Sequence, residues 1–142
     1  MRSGPVDYKL ELVLIPVSDV DRAKKFYADQ MGFGLLVDAP IASGKRIVQL
    51  TPPGSACSIG FGTGVTAAPA GSQQGLHLVV SDIVLAYQEL AGRGVEVGDI
   101  NHHGEGGWAA GPHPERGDYM SFAEIADPDG NVWLLQEVGR PA

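Results

Sequence analysis

Imidazole side chains are the groups in this sequence most able to do chemistry near neutral pH, and the chain has four of them. Histidine gains or loses a proton close to pH 7 and also binds metal ions. His77 stands in the apolar run LHLVV. At such a place it can act as a general base, or be a neutral core histidine whose ring nitrogens are both satisfied. The sequence leaves both interpretations open.

The other three histidines, His102, His103 and His113, lie in NHHGEGGWAAGPHPERGD, residues 101–118. We interpret this Gly/Pro-rich segment as a long insertion, and such loops are often lids or binding loops. Trp108 is expected to stack on a flat ligand or to hold the loop against the core. His102, His113 and Trp108 are therefore candidate ligand contacts, although a loop histidine is more often simply solvated.

Four further polar side chains stand at the predicted strands. Tyr119 opens YMSFAEI, where its hydroxyl is a candidate catalytic group or its ring is a partly buried strand end. Gln136 and Glu137 close DPDGNVWLLQE. Gln136 is a candidate for orienting a ligand by hydrogen bonding, and Glu137 is interpreted as a solvated strand end. Gln49 faces either the ligand or the solvent.

An internal repeat predicts the elements that position these residues. LVLIPVSDVDRAKKFYADQMGF and LHLVVSDIVLAYQELAGRGV both pass from a β-rich run through Val-Ser-Asp into a helical pattern that ends at glycine. The serines and aspartates can cap the helices, and glycine suits the residue after a helix. Equivalent positions are separated by a constant offset of 63 residues from Val17 and Val80 to Tyr27 and Leu90, and the glycines that follow are displaced by one residue. The repeat predicts a duplicated supersecondary unit.

Each unit is predicted to be βαβββ. We expect strands near residues 34–39, 45–51 and 56–62 in the first half, and near 95–100, 119–126 and 132–137 in the second. The whole chain, 1–142, is then a single α+β domain with module 1 at about 8–65, a linker at 66–75 and module 2 at about 76–138. Two curved mixed sheets, each of four strands, are expected to surround a central cleft, where ligands usually bind.

Composition excludes several classes of partner. The net charge is −7, with 10 basic and 17 acidic residues, which argues against binding to nucleic acid or to an anionic membrane surface. No apolar run is long enough to span a bilayer, and the first residues do not resemble a secretory signal. One cysteine excludes an intrachain disulfide. We expect a cytoplasmic protein that binds a small molecule.

The VSDVDRAKKFY…MGF and DPDGN motifs, within this duplicated plan, resemble the vicinal oxygen chelate superfamily, from Tyr8 to Val138. That superfamily contains glyoxalases, bleomycin resistance proteins, fosfomycin-modifying enzymes and extradiol dioxygenases. The resemblance implies the fold and a homodimer. It leaves the function open, because the members include lyases, isomerases, dioxygenases and non-catalytic binders.

The resemblance also locates the positions where metal enzymes of this superfamily carry His or Glu. In this sequence they are Leu12, Gly75 and Leu134, and the inner strand ACSIGFG offers neither His nor carboxylate. A divalent cation needs three or four protein donors. We therefore predict no metal or other cofactor at the usual site.

Because side chains alternate along a strand, Gln136 shares the face of Leu134, and His77 shares the face of Gly75. The resemblance turns that face towards the cleft, so His77 and Gln136 are expected to form a polar pair there. The first hypothesis is a ligand-binding protein with acid–base chemistry of the lyase or isomerase type, in which His77 and Tyr119 are catalytic. Alternatives are a non-catalytic, antibiotic-type sequestration protein, and a metal enzyme with a shifted site.

Overall fold

The duplicated plan predicted from the repeat is present in the computed structural model, which describes residue 4 and residues 6–141. The first module contains, in chain order, β1 (Leu12–Leu14), α1 (Val20–Lys25), β2 (Gly34–Ile41), β3 (Lys45–Thr51) and β4 (Ser58–Gly62). A π-helical segment, Phe26–Gln30, continues α1. The second module contains β5 (Leu76–Val80), α2 (Ile83–Gly92), β6 (Asn101–Gly104), β7 (Gly107–Ala110), β8 (Ser121–Ala126) and β9 (Val132–Glu137).

Within the described residues these strands form two separate mixed sheets. The first has the order β1-β4-β3-β2 and the second β5-β9-β8-β6-β7. In each sheet the strand before the helix pairs in parallel with the last strand of its module, and the other pairs are antiparallel. The α+β class and the tandem βαβββ modules are therefore confirmed. The second sheet has five strands, whereas four were expected.

The extra strand arises from the segment that was predicted to be an irregular insertion. Residues 101–110 instead form the β6–β7 hairpin, in which His103 lies opposite Trp108. The expected strand at 95–100 is absent from this described segment, where Val97 makes only an isolated bridge to Ile125. The expected strand at 119–126 begins two residues late, at Ser121, because Tyr119 has a left-handed φ of 60° that an extended strand does not allow.

Both helices begin and end on the signals visible in the repeat. Asp19 and Asp82 are the N-cap residues, and each carboxylate accepts a hydrogen bond from a backbone amide of the first turn. The segments end at Gly32 (φ 77°) and Gly94 (φ 82°), where the left-handed backbone costs glycine little.

The ends of the two helical segments are hydrogen-bonded to each other. Gln30 Nε2 donates to the backbone oxygen of Arg93, and Arg93 Nε donates to the backbone oxygen of Gln30 at 2.6 Å. The two helix ends thus contact each other.

A single core lies between the helix-facing sides of the two sheets. Val48 and Phe61 from the first sheet and Ile125 and Leu135 from the second belong to the same cluster of buried apolar residues. The modules therefore bury apolar surface against each other, which is the main source of their stability. No helix in the described part of the chain is long and apolar enough to cross a membrane.

A buried polar network ties the π-helical segment after α1 to the final turn through the core. The Tyr27 hydroxyl donates to Asp127 Oδ2 at 2.8 Å and accepts from Trp133 Nε1 at 3.0 Å. Asn131 Nδ2 donates to the same Asp127 oxygen at 2.7 Å. Burial, reinforced by the negative charge of Asp127, raises the pKa of Tyr27. The DPDGN turn thus satisfies buried polar groups in addition to reversing the chain.

The linker at 66–75 is also bound to both modules near its end. Gly71 N donates to Pro16 O at 3.0 Å, just after β1. Gln73 N donates to Asn131 Oδ1 at 2.9 Å, and Gln73 O accepts from Val132 N at 3.0 Å, at the start of β9. Residues 71–73 therefore join the end of the first strand of the chain to the beginning of the last one.

Candidate functional site

The candidate site is the face of the five-stranded sheet that points away from the core. Trp133, Leu135 and Glu137 of β9 are buried on the helix side, so alternation turns Leu134 and Gln136 to the opposite side. We call that side the open face. Strand register places on it the side chains of His77, Val79, Asn101, His103, Trp108, Phe122, Glu124, Leu134 and Gln136.

His77 and Gln136 contact each other on the open face. His77 Nδ1 lies 3.1 Å from Gln136 Oε1. Because an amide oxygen can only accept, Nδ1 carries the proton in this arrangement, and the basic nitrogen of the neutral ring is Nε2. His77 also borders a groove of about 550 Å³ between the modules, which Phe33 and Pro52 line from the other side. The pair can orient a ligand or remove a proton from it.

Aromatic rings occupy the other end of the open face. The ring centroids of Trp108 and His103 are 4.0 Å apart at 36°, and those of Trp108 and Phe122 are 5.7 Å apart at 84°. Although it touches both rings, Trp108 remains 62% exposed. Trp108, Phe122, Leu134 and Glu124 line a depression of about 430 Å³. A flat apolar molecule can therefore stack here without displacing any part of the core.

His102 and His113 lie on the opposite side of the sheet. His102 is paired across the ladder with Ser121, which is completely buried, and its Nδ1 is 2.7 Å from Gly111 O. The rings of His102 and His113 meet at 5.3 Å, and His113 N donates to Ser121 Oγ. The structure brings these two histidines together with each other and does not bring them to His77.

Two other sequence candidates make no hydrogen bond to the side chains of His77 or Gln136 within the described residues. Tyr119 is 61% exposed, and its amide donates to the backbone oxygen of Glu137 at 2.9 Å. Gln49 lies between the buried Val48 and Leu50 in β3, so it faces the open side of the first sheet. No hydrogen bond within residues 6–141 joins Gln49 to the second sheet.

Glu137 differs from its sequence interpretation. It points away from Gln136, as alternation requires, but it is 0% exposed instead of solvated. Arg116 Nε and Nη2 bind its two carboxylate oxygens at 2.9 and 2.7 Å, and Ile83 N donates at 2.8 Å. The Arg116 guanidinium holds the pKa of Glu137 below its usual range. The prediction of a solvated end was wrong because the partner Arg116 is distant in sequence.

The three positions at which the resemblance places metal ligands carry no ligand side chains. Leu12 and Leu134 are apolar, and Gly75 adopts a left-handed φ of 80° that favours glycine. These residues do not fit a divalent ion, which requires several oxygen, nitrogen or sulfur donors. Elsewhere in the described residues, no three His, Cys, Asp or Glu side chains are grouped as a metal site.

Phe122 and Glu124 are site residues that sequence analysis missed. They alternate with the buried Ala123 and Ile125 in β8, and Phe122 and Glu124 lie opposite Gln136 and Leu134 of β9. The alternation in SFAEIA was visible in the sequence. Which face of the sheet Phe122 and Glu124 occupy depends on the pairing of β8 with β9.

Two βαβββ modules that share one core define a fold that hosts many unrelated functions. The chain belongs to the Glyoxalase/Bleomycin resistance protein/Dioxygenase superfamily, whose family model matches residues 9–135.

Three similar proteins, two of them solved structures, match most of the chain. TnmS3, an antibiotic binding protein from Streptomyces sp. CB03234, is 32% identical with a TM-score of 0.73, over 94% of this chain and 98% of that one. A glyoxalase/bleomycin resistance protein from the same strain is 33% identical with a TM-score of 0.70, over 91% and 100%. The uncharacterized protein YetH of Bacillus subtilis (strain 168) is 24% identical over 88% of this chain and 94% of its own length.

Proposed function

We propose that this protein binds a flat aromatic small molecule on the open face and holds it without turnover. The observation that carries the proposal is Trp108, which stays 62% exposed while its ring contacts His103 and Phe122. A large apolar side chain held in one position loses little conformational freedom when a ligand stacks on it. Similarity to an antibiotic binding protein over nearly the whole chain supports the same kind of role.

Binding of acridine, a neutral three-ring probe at pH 8, tests this proposal by equilibrium dialysis. Trp108→Ala is expected to weaken binding about 10- to 50-fold, because truncation of an aromatic side chain at the centre of a contact costs on the order of 2 kcal/mol. Leu85→Ala is the matched control, since Leu85 is also 62% exposed but lies on α2. Equal affinities of wild type and Trp108→Ala would contradict the proposal.

Acid–base chemistry is the second candidate function, favoured by the hydrogen bond between His77 Nδ1 and Gln136 Oε1. This contact leaves Nε2 of His77 available as a base, fixed in direction by its neighbour. Aromatic compounds incubated with the protein would then give products detectable by mass spectrometry. Turnover that survives a chelator and is lost in His77→Gln, but persists in His113→Gln, would favour this candidate over sequestration.

We also propose that the protein is a homodimer. β1 and β5 each pair on only one side within the described chain, and unpaired strand edges favour association. Light scattering after size-exclusion chromatography is expected to give twice the mass of the 14.9 kDa chain. A monomer at all protein concentrations would contradict this.

A further inference from the structure

The negative charge of the protein is concentrated in the module that carries the open face. Residues 76–138 contain eleven Asp and Glu but only two Arg and no Lys, a net charge of −9, whereas the whole chain carries −7. The two arginines of this module are already engaged: Arg93 with Glu89 and the end of the π-helical segment, and Arg116 with Glu137 and Asp82. The module therefore attracts cations and repels anions at its surface.

Glu124 brings that charge onto the open face itself. It lies opposite Leu134 in the ladder and two residues along β8 from Phe122, a separation of about 7 Å along a strand. Its side chain is exposed, and no hydrogen bond or ion pair engages its carboxylate within the described part of the chain. The same depression is lined by Trp108, Phe122 and Glu124. No Lys or Arg stands among the open-face side chains of the described strands.

We propose that the ligand of this site is a planar aromatic cation, with its rings against Trp108 and its positive group directed to Glu124. The inference rests on the proposed binding function and adds the chemical class of the ligand. Two physical effects favour a cation: the unpaired carboxylate attracts it directly, and the faces of Trp and Phe rings attract it through their quadrupoles. A carboxylate or phosphate ligand would meet Glu124 with no basic side chain to offset the repulsion.

Three acridines of nearly equal shape test the inference at pH 8: 9-aminoacridine, which is a cation, acridine, which is neutral, and acridine-9-carboxylate, which is an anion. We expect 9-aminoacridine to bind about tenfold more tightly than acridine, and the anion to bind most weakly. The preference for the cation should shrink between 20 and 500 mM NaCl, because salt screens an exposed charge.

Glu124→Gln is expected to lower the affinity for 9-aminoacridine three- to tenfold and to leave the affinity for acridine unchanged. Glu115→Gln is the control, since it removes the same charge from an exposed loop position that does not line the depression. Far-UV circular dichroism and the melting temperature of both variants establish that they are folded.

The outcomes separate this inference from the function on which it rests. If the three probes bind equally, or if Glu124→Gln leaves the preference for the cation unchanged, while Trp108→Ala still weakens binding, the ligand class is wrong and the binding function stands. If no probe binds in a Trp108-dependent manner, both are wrong. A cation preference lost equally in Glu115→Gln would also overturn the assignment to Glu124, because it would reflect net charge alone.

Discussion

Removal of the Arg116 guanidinium should destabilise the fold, because the buried Glu137 carboxylate would lose the cation that binds it. In Arg116→Met the side-chain stem is retained, but the completely buried Glu137 carboxylate keeps only the amide of Ile83 as a donor. Breaking a buried ion pair costs about 3–5 kcal/mol. Since the Arg116 side chain is 18% exposed and water can partly replace it, we expect a loss of about 2–3 kcal/mol in the free energy of unfolding.

The pH dependence of this loss follows from the lowered pKa of Glu137. A carboxyl whose pKa is lower in the folded state stabilises the fold above its unfolded pKa, and that stabilisation disappears as the pH falls through the folded value. In Arg116→Met the buried carboxyl no longer has this cation and protonates more readily. The difference in stability between wild type and variant is therefore expected to shrink between pH 7 and pH 4.

Urea unfolding at both pH values, followed by far-UV circular dichroism, measures these differences. Arg46→Met is the control, because Arg46 also binds a carboxylate, that of Asp38, through two of its nitrogens, but this ion pair lies at the surface. Surface ion pairs contribute little, so the control should lose much less stability than Arg116→Met. An unchanged urea midpoint for Arg116→Met at pH 7, or a loss that is the same at pH 4, would refute the reasoning.

Three further predictions concern the turns and the core. Gly71 and Gly75 both have φ 80°, but a Cβ at Gly71 would collide with the Asp129 backbone oxygen, whereas Gly75 has open space. Gly75→Ala should cost about 1 kcal/mol from backbone strain, and Gly71→Ala about 1–3 kcal/mol more; equal urea midpoints would contradict this. Tyr27→Phe leaves the buried Trp133 Nε1 without its acceptor, so it should lose about 1–3 kcal/mol, and an unaltered melting temperature would argue against that. Because the pKa of Tyr27 is raised, its ring should give no phenolate absorbance until the protein unfolds.

Local signals in the sequence were sufficient for much of the fold. The Val-Ser-Asp motifs predicted both helices, because a cap depends on residues three positions apart. The DPDGN turn and the apolar run after it predicted β9 within one residue. The glycines of residues 101–118 were misleading, since in the β6–β7 hairpin they permit a tight turn, with Gly107 at φ 112°.

The site was harder to predict because it depends on pairing between distant strands. Alternation indicated that His77 and Gln136 lie on faces of their own strands, but the hydrogen bond between them requires β5 beside β9. Phe122 and Glu124 join the site through the β8–β9 register alone. Burial of Glu137 required Arg116, whose guanidinium binds both Glu137 and Asp82, the N-cap residue of α2. None of these pairings is encoded in a short stretch of sequence.

The bonds of residues 71–73 to both modules determine where this chain can bend. Thr63 N is bound to Arg46 O, and Gly71 N to Pro16 O. Between these two bonds, residues 64–70 make no hydrogen bond to either module within the described part of the chain. A fully extended tether of that length reaches about 25 Å. If two copies ever exchanged their second modules, the exchanged unit could travel no farther than this without first breaking the contacts at Pro16 and Asn131.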